Sequence, residues 1–291
     1  MPRIEEFTGV ACSIAEVERE LARLRDASTR EGEAPNMRTS VMTHLAWAPA
    51  PWTERAEETL AGLAERHPSR TILLVPDADA GEDRIDAKVS TRCYQLEGVD
   101  RAVCSEIVLL HLHGKRAKAP ASIVQPLLVS DLPVFCRWRG EPAWGSPELD
   151  QLVALADRLV VDSGEWDDLP YAYTHLAGLF ERTAVSDIAW GRSLGWRLRL
   201  ADRWPGIAGL RQLRVAGPVA DALLLAGWLR SRLDAQVELV HEEADELELV
   251  AVDGEPLRAP RGDRLSPSEL LSAELDRFGR DRIYEAAVRA A

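Results

Sequence analysis

Two consecutive α/β domains, each a mostly parallel or mixed sheet flanked by helices, are the fold that the sequence predicts. Three observations carry this. Over residues 38–165, five strand-like apolar runs alternate with amphipathic helical segments. Within that stretch a strand, a helix and a second strand fit inside about 35 residues, the length of a βαβ unit and so of a parallel pair. After residue 165 the composition shifts towards Trp and Arg, and α/β patterning begins again. A chain of 291 residues holds two ordinary domains, and 46% hydrophobic with 29% charged residues is a globular balance. The predicted organisation is an N-terminal helix and linker (1–37), an N-terminal α/β domain (38–165) and a C-terminal α/β domain (166–291).

Taken in order, Ser13-Ile14-Ala15-Glu16 is a capping box that opens a helix with Ile14, Val17, Leu21 and Leu24 on one face. Residues 28–36 are polar, with Gly and Pro, and read as a linker. Val41–Trp47 reads as a strand. Thr53 caps a helix whose first turn is acidic, and Thr71–Val75 is a buried strand. Arg84–Leu96 reads as extended, Glu97–Asp100 as a turn, and Ser105–His113 as a strand. Pro126–Glu141 (PLLVSDLPVFCRWRGE) reads as the end of a helix, a turn at Ser130-Asp131 and a buried strand with Trp138 between Arg137 and Arg139 at its mouth. Pro147 opens a helix, and Arg158–Asp162 is a short strand.

In the second half, Leu169–Arg182 reads as a helix. Ser186-Asp187 opens another through Trp190, Leu194 and Leu198; a strand is the alternative, because Trp196, Leu198 and Leu200 alternate. Leu210–Val215 is a strand, and Gly217-Pro218 starts a helix with Pro at its first position. Val237–Leu239 and Leu247–Val252 look like a hairpin around an acidic turn. Ser266-Pro267-Ser268-Glu269 combines a capping box with Pro at the first helical position, and Ile283–Val288 is a final short helix.

A net charge of −13 argues against nucleic acid or an anionic membrane as main partner, since either needs a basic face. The N-terminal residues show no signal-peptide pattern, and no apolar run is long enough to span a bilayer, so a cytoplasmic protein is expected. Cys12, Cys93, Cys104 and Cys136 form no CxxC, and reduced, mostly buried thiols are expected; Cys93 and Cys104 flank a turn and could also meet across a hairpin.

Candidate chemistry is sparse. Gly191-Arg192-Ser193-Leu194-Gly195 matches the nucleophile elbow, a serine hydrolase signature, but the residues before it read as a helix start, and His241 is the only downstream base. His111 and His113 share one strand face and could hold a metal, yet no tightly spaced third ligand accompanies them. The loop with Asp77, Asp79, Glu82 and Asp83 reads as solvated rather than as a cation site. No phosphate-cradling glycine loop occurs, so no cofactor and no metal are expected. A small-molecule sensor binding at the strand ends is a further alternative. Trp and Arg are the residues most enriched at binding hot spots, which makes Arg137, Trp138, Arg139, Trp190, Arg192 and Trp196 the candidate partner-binding residues.

An ordered set of motifs resembles one family. The residues are His67-Pro68-Ser69-Arg70 before an aliphatic strand, Ser105-Glu106-Ile107-Val108-Leu109-Leu110, Pro126-Leu127-Leu128 with Asp131-Leu132-Pro133-Val134 and Trp138, and Ser186-Asp187-Ile188-Ala189-Trp190-Gly191-Arg192 with Trp196-Arg197. Together, over roughly residues 40–290, they resemble the glucose-6-phosphate dehydrogenase assembly protein family of actinobacteria and cyanobacteria. The resemblance implies a non-catalytic protein that binds glucose-6-phosphate dehydrogenase and promotes its assembly or allosteric activation, in support of the oxidative pentose phosphate pathway. Cyanobacterial members are associated with thioredoxin-linked control through cysteines, a pattern that these four cysteines do not match.

Overall fold

In the computed structural model, which describes residues 3–30, 40–63, 67, 69–95, 102–261 and 265–291, the chain opens with a strand that periodicity did not indicate, β1 (Arg3–Gly9). The capping box then forms as expected. Ser13 N–H donates to Glu16 Oε2 (2.7 Å) and Glu16 N–H to Ser13 Oγ (3.3 Å), starting α1 (Ile14–Arg30). This helix takes in residues 28–30 of the expected linker; the rest of that linker and the turn at 97–100 lie outside the described residues. Next come β2 (Thr43–Trp47), α2 (Thr53–Leu63), β3 (Arg70–Asp77), β4 (Ile85–Gln95) and β5 (Ala102–His113). They are followed by α3 (Pro120–Val124), β6 (Val134–Trp138), α4 (Pro147–Leu155) and β7 (Arg158–Val161).

The chain divides into two units, Met1–Leu159 and Val160–Ala291, and the division falls within β7. In the first unit the strands run in the order β1-β4-β5-β3-β2-β6. β5, β3, β2 and β6 are mutually parallel, as the βαβ spacing predicts, while β1, β4 and β5 form an antiparallel flank. The chain leaves β2 towards β3 on one side and returns to β6 on the other, so the C-terminal ends of β2 and β6 form a topological switch point. Cys93 and Cys104 lie directly opposite in the β4–β5 ladder, with Cα atoms 4.1 Å apart, and are joined by a disulfide. The expectation of free thiols fails for this pair because strand register, not sequence spacing, sets their separation. It holds for buried Cys136, whose thiol burial pushes up to about 12 and so keeps protonated.

Three of the motif groups meet inside this unit. Arg70 and Glu106 are cross-strand partners on β3 and β5, and both are buried. Arg70 Nε and Nη2 each lie 2.6 Å from Glu106 Oε2, and Arg70 Nη1 donates to the Leu127 carbonyl (2.8 Å). Arg25 on α1 reaches the other oxygen, Oε1, at 3.2 Å. The buried charges are thus neutralised and hydrogen-bonded, the condition under which such groups persist in an interior.

The second unit contains α5 (Tyr171–Ala177), β8 (Ala184–Asp187), α6 (Ile188–Arg192), α7 (Leu194–Ala201), β9 (Gln212–Ala216) and α8 (Val219–Leu233). After them come β10 (Glu238–Glu242), β11 (Leu249–Val252), β12 (Glu255–Pro256), α9 (Pro267–Leu275) and α10 (Arg282–Arg289). Several expectations change here. The helix expected over Leu169–Arg182 spans only Tyr171–Ala177, and the one expected from Ser186-Asp187 is strand β8 followed by two helices that part at Ser193. Pro218 is the residue before α8 rather than its first residue. The expected hairpin of β10 with β11 does not form: β9 lies between them in the order β10-β9-β11-β12, parallel to β10 and antiparallel to β11. Helix α8 is a crossover between β9 and β10, which requires parallel pairing and carries β10 to the far side of β9. Side chains from α7, β9, α8 and β11, including Trp196, Leu200, Leu213, Val215, Leu225 and Val250, make one core. Both units are therefore α/β, the fold class that the sequence predicts. No helix among the described residues is long and apolar enough to cross a membrane.

Candidate partner-binding site

At the switch point, Trp and Arg side chains pack on one another. Trp138 and Trp47, cross-strand partners at the ends of β6 and β2, stack with centroids 5.1 Å apart. Arg139 places its guanidinium 5.3 Å from the Trp52 ring, and its N–H donates to the Trp47 carbonyl (2.9 Å). Gly140 follows with φ +74°, and a Cβ there would lie 2.6 Å from Trp52 Nε1, so only glycine fits. Arg137 is buried, and its Nη1 donates to the Trp138 carbonyl. Nearby His44 is fully buried; burial first, then the Arg137 charge, holds it neutral, down at about 3. Arg137, Trp138 and Arg139 are brought together here as interior side chains. Trp52 and Arg139 thus lie at the strand ends, the region where an open α/β sheet takes a small ligand.

The Trp190–Trp196 segment is built on a second buried polar cluster. Asp187 ends β8 and caps α6: its Oδ1 accepts from the N–H groups of Ala189 (2.9 Å) and Ser163 (3.0 Å), and Oδ2 accepts from the Tyr284 hydroxyl (3.2 Å). Arg192 forks onto Asp221, with Nε to Oδ1 at 3.1 Å and Nη2 to Oδ2 at 2.7 Å. Trp190 is buried; its Nε1 donates to Asp281 (3.0 Å), and the Arg197 guanidinium lies over its ring at 3.3 Å. Arg197 also donates to the Trp190 carbonyl (2.8 Å). Trp196 belongs to the unit's core. Trp138, Trp190 and Trp196 are thus interior rings, because the aromatic area that suits an interface suits a core equally. What this segment shows to solvent is the other side of α7: Leu194 is 43% exposed, Leu198 59% and, after the helix, Trp204 65%. Their spacing, with Leu194 and Leu198 one turn apart beside Trp196 and Leu200 one turn apart, was the available sign of a helix apolar on two faces.

The remaining candidates resolve into structural contacts. Ser193 is fully buried between α6 and α7; its hydroxyl donates to the Trp190 carbonyl (2.9 Å) and accepts from Arg197 Nε (3.2 Å). A strand, β8, does precede the motif, but α6 intervenes, so Ser193 is not at a strand-to-helix elbow. His241 Nε2 lies 2.7 Å from the Gly217 carbonyl. The serine hydrolase alternative thus lacks an accessible nucleophile. His113 sits between Asp86 (3.1 Å) and Asp77 (3.5 Å), and among the described residues no group of three or more His, Cys, Asp or Glu could hold a metal. In the acidic loop Asp83 accepts from the Lys115 N–H (2.8 Å) and Glu82 pairs with Arg84 (2.8 Å).

The Asp187 carboxyl predicts a pH effect. Burial first, then the neighbouring Asp162 charge, raises it from 3.8 to about 7. The folded chain keeps this proton where the unfolded chain has lost it, so the contribution to stability is full below about pH 4 and falls away as pH rises towards 7, by at most about 1.4 kcal/mol per unit. Asp187→Asn keeps an acceptor for the two N–H groups and puts a donor opposite the tyrosine hydroxyl. The melting temperature of this variant, relative to the parent, is expected to rise between pH 5 and pH 8; parallel curves would mean that Asp187 is ionised throughout.

Comparison with known families places these features. A family model for the glucose-6-phosphate dehydrogenase subunit N-terminal domain matches residues 60–177, and one for the C-terminal domain of the same subunit matches residues 183–288. A cyanobacterial protein from Nostoc punctiforme, named as the OxPP cycle protein OpcA, is 28% identical over 202 residues, covering 65% of this chain and 43% of the relative. Its namesake from Synechococcus elongatus is 26% identical over 202 residues, covering 66% and 45%. That from Synechocystis is 25% identical over 182 residues, covering 59% and 38%. The matched stretch is under half the length of each relative. With both domain models matched in succession, the chain belongs to the OpcA family of glucose-6-phosphate dehydrogenase assembly proteins.

Proposed function

We propose that this protein binds glucose-6-phosphate dehydrogenase in the cytoplasm and promotes its assembly or allosteric activation, without catalysing a reaction itself. The observation that carries the reading is the match of two successive stretches of the chain, residues 60–177 and 183–288, to domains named for that enzyme. The interior position of Ser193 supports it, because the most specific catalytic motif in the chain is a helix-to-helix junction. Arg137, Trp138, Arg139, Trp190, Arg192 and Trp196 then act as the frame that holds partner-facing surface rigid, with the interior stacks described above beneath it. Activation further requires that the protein bind the active state of the dehydrogenase more tightly than the inactive one, since equal affinity for both shifts nothing.

The test is the initial rate of the same organism's dehydrogenase across glucose 6-phosphate concentration, with and without an excess of this protein. A lower apparent Michaelis constant or a higher turnover is expected. Unchanged kinetics, together with no change in the enzyme's oligomeric state, would reject the reading.

A further inference from the structure

We propose that the outer face of α7 and the turn after it form the docking surface, and that its occupant is a carboxylate-rimmed apolar patch on the dehydrogenase. This rests on the function proposed above and adds the place and the chemistry of the contact. Helix α7 is apolar on two sides. Trp196 and Leu200 enter the core of the second unit. Leu194, Leu198 and Ala201, at i, i+4 and i+7, form a line on the opposite, exposed side, and Trp204 is exposed in the turn that follows the helix. Single exposed leucines are ordinary, but two exposed leucines one turn apart, with an exposed Trp in the next turn, mark a contact site.

The charge around this line has the opposite sign to that of the chain. Gly195 has no side chain, and a Cβ there would lie 2.9 Å from the Pro260 ring, so the segment at 255–261 packs directly beside the helix. Arg203 reaches Glu255 on that segment at 3.7 Å. Exposed Arg258 and Arg261 lie on that segment, so the described residues of α7, its turn and 255–261 carry four arginines besides Arg197 (Arg199, Arg203, Arg258 and Arg261) against the two carboxylates of Asp202 and Glu255, in a chain of net charge −13. The two ion pairs already present, Arg199–Asp202 at 3.9 Å and Arg203–Glu255 at 3.7 Å, are long and exposed. Such pairs are worth little, so a partner's carboxylates can take over the guanidinium groups. The platform is rigid: Arg197 is folded back over Trp190 and ties α7 to α6 through the Trp190 carbonyl. Binding therefore orders little that is not already ordered.

The same charges argue for which occupant. A two-fold contact between copies would set arginine against arginine. A nucleic acid or an anionic bilayer would meet the repulsion of the whole acidic chain. A protein patch with carboxylates around an apolar centre satisfies both features.

The experiment measures the affinity of the full chain for the same organism's dehydrogenase by titration calorimetry, for the parent, Leu198→Asp, Trp204→Ala, Arg199→Glu with Arg203→Glu, and Val10→Asp as an exposed control. All the positions except Arg199 are exposed, and Arg199 is part-exposed on the same helix; unchanged melting temperatures check folding. Truncating a central anchor costs about 2 kcal/mol, about thirtyfold in affinity. A loss of that order is expected for Leu198→Asp and Trp204→Ala, with a weaker salt dependence for the double arginine variant and no effect of Val10→Asp. If the parent binds and the α7 variants bind equally well, the docking surface is elsewhere while the proposed function stands. If the parent does not bind, both fail. If the parent self-associates and Leu198→Asp abolishes that alone, the occupant is a second copy and the proposal is overturned.

Discussion

Glu106→Ala is expected to lower the stability of the protein by about 3–5 kcal/mol, the cost of removing one partner from a buried ion pair. Glu106 Oε2 faces Arg70 Nε and Nη2, and Oε1 faces Arg25. Arg70 is buried and cannot follow solvent when its partner goes, whereas Arg25 is part-exposed and can. The loss therefore comes from one stranded guanidinium. Guanidinium chloride denaturation measures it as a fall in the midpoint at constant slope. The double variant Arg70→Met, Glu106→Leu should recover most of the loss, because apolar groups of similar volume replace a buried pair at little cost. If Glu106→Ala shifts the midpoint by less than the equivalent of about 1 kcal/mol, water reaches this site and the pair is not interior.

Arg192→Ala should be nearly as damaging, by about 3 kcal/mol, for the converse reason: it strands a carboxylate. Asp221 is fully buried, and burial pushes its carboxyl up even with the guanidinium beside it. Without Arg192 the group is expected to hold a proton to higher pH, which steepens the fall of stability with rising pH; the variant should be least stable at high pH. Arg192→Lys should recover only part of the loss, because an ammonium cannot span both oxygens as the Nε and Nη2 fork does. Equal stability of all three chains would place Arg192 at the surface, as a direct contact residue instead of a support.

These two pairs show what the sequence made legible. Local signals held. Both capping boxes close as expected, because each involves residues three apart. The parallel order of β2, β3 and β6 follows from the spacing of apolar runs. Non-local arrangements did not show. β1 (Arg3–Gly9) pairs with a strand some eighty residues away and carries few apolar residues of its own. β8 has four residues and runs straight into α6, so its Asp187 reads only as a helix cap. The insertion of β9 between β10 and β11 is a decision of the fold, not of the turn at 241–245.

The candidate site was half legible for a similar reason. Trp and Arg composition picked out the Trp190–Trp196 segment and the end of β6, and the structure gathers each into a cluster. Composition does not say which side of a helix meets solvent. On α7 both Trp196–Leu200 and Leu194–Leu198 are spaced for a buried face, and the core chose the pair with the larger area. The buried arginines were invisible as supports, since Arg70 finds its partner across strands and Arg192 finds its partner 29 residues away in the chain.

The central claim, that this protein is a binding partner of glucose-6-phosphate dehydrogenase, is tested most directly by sedimentation velocity of the two purified proteins, alone and mixed. The account predicts a faster-sedimenting species in the mixture that contains both chains and is depleted by the Leu198→Asp variant. Two boundaries that sediment at their separate rates, at concentrations well above micromolar, would contradict it.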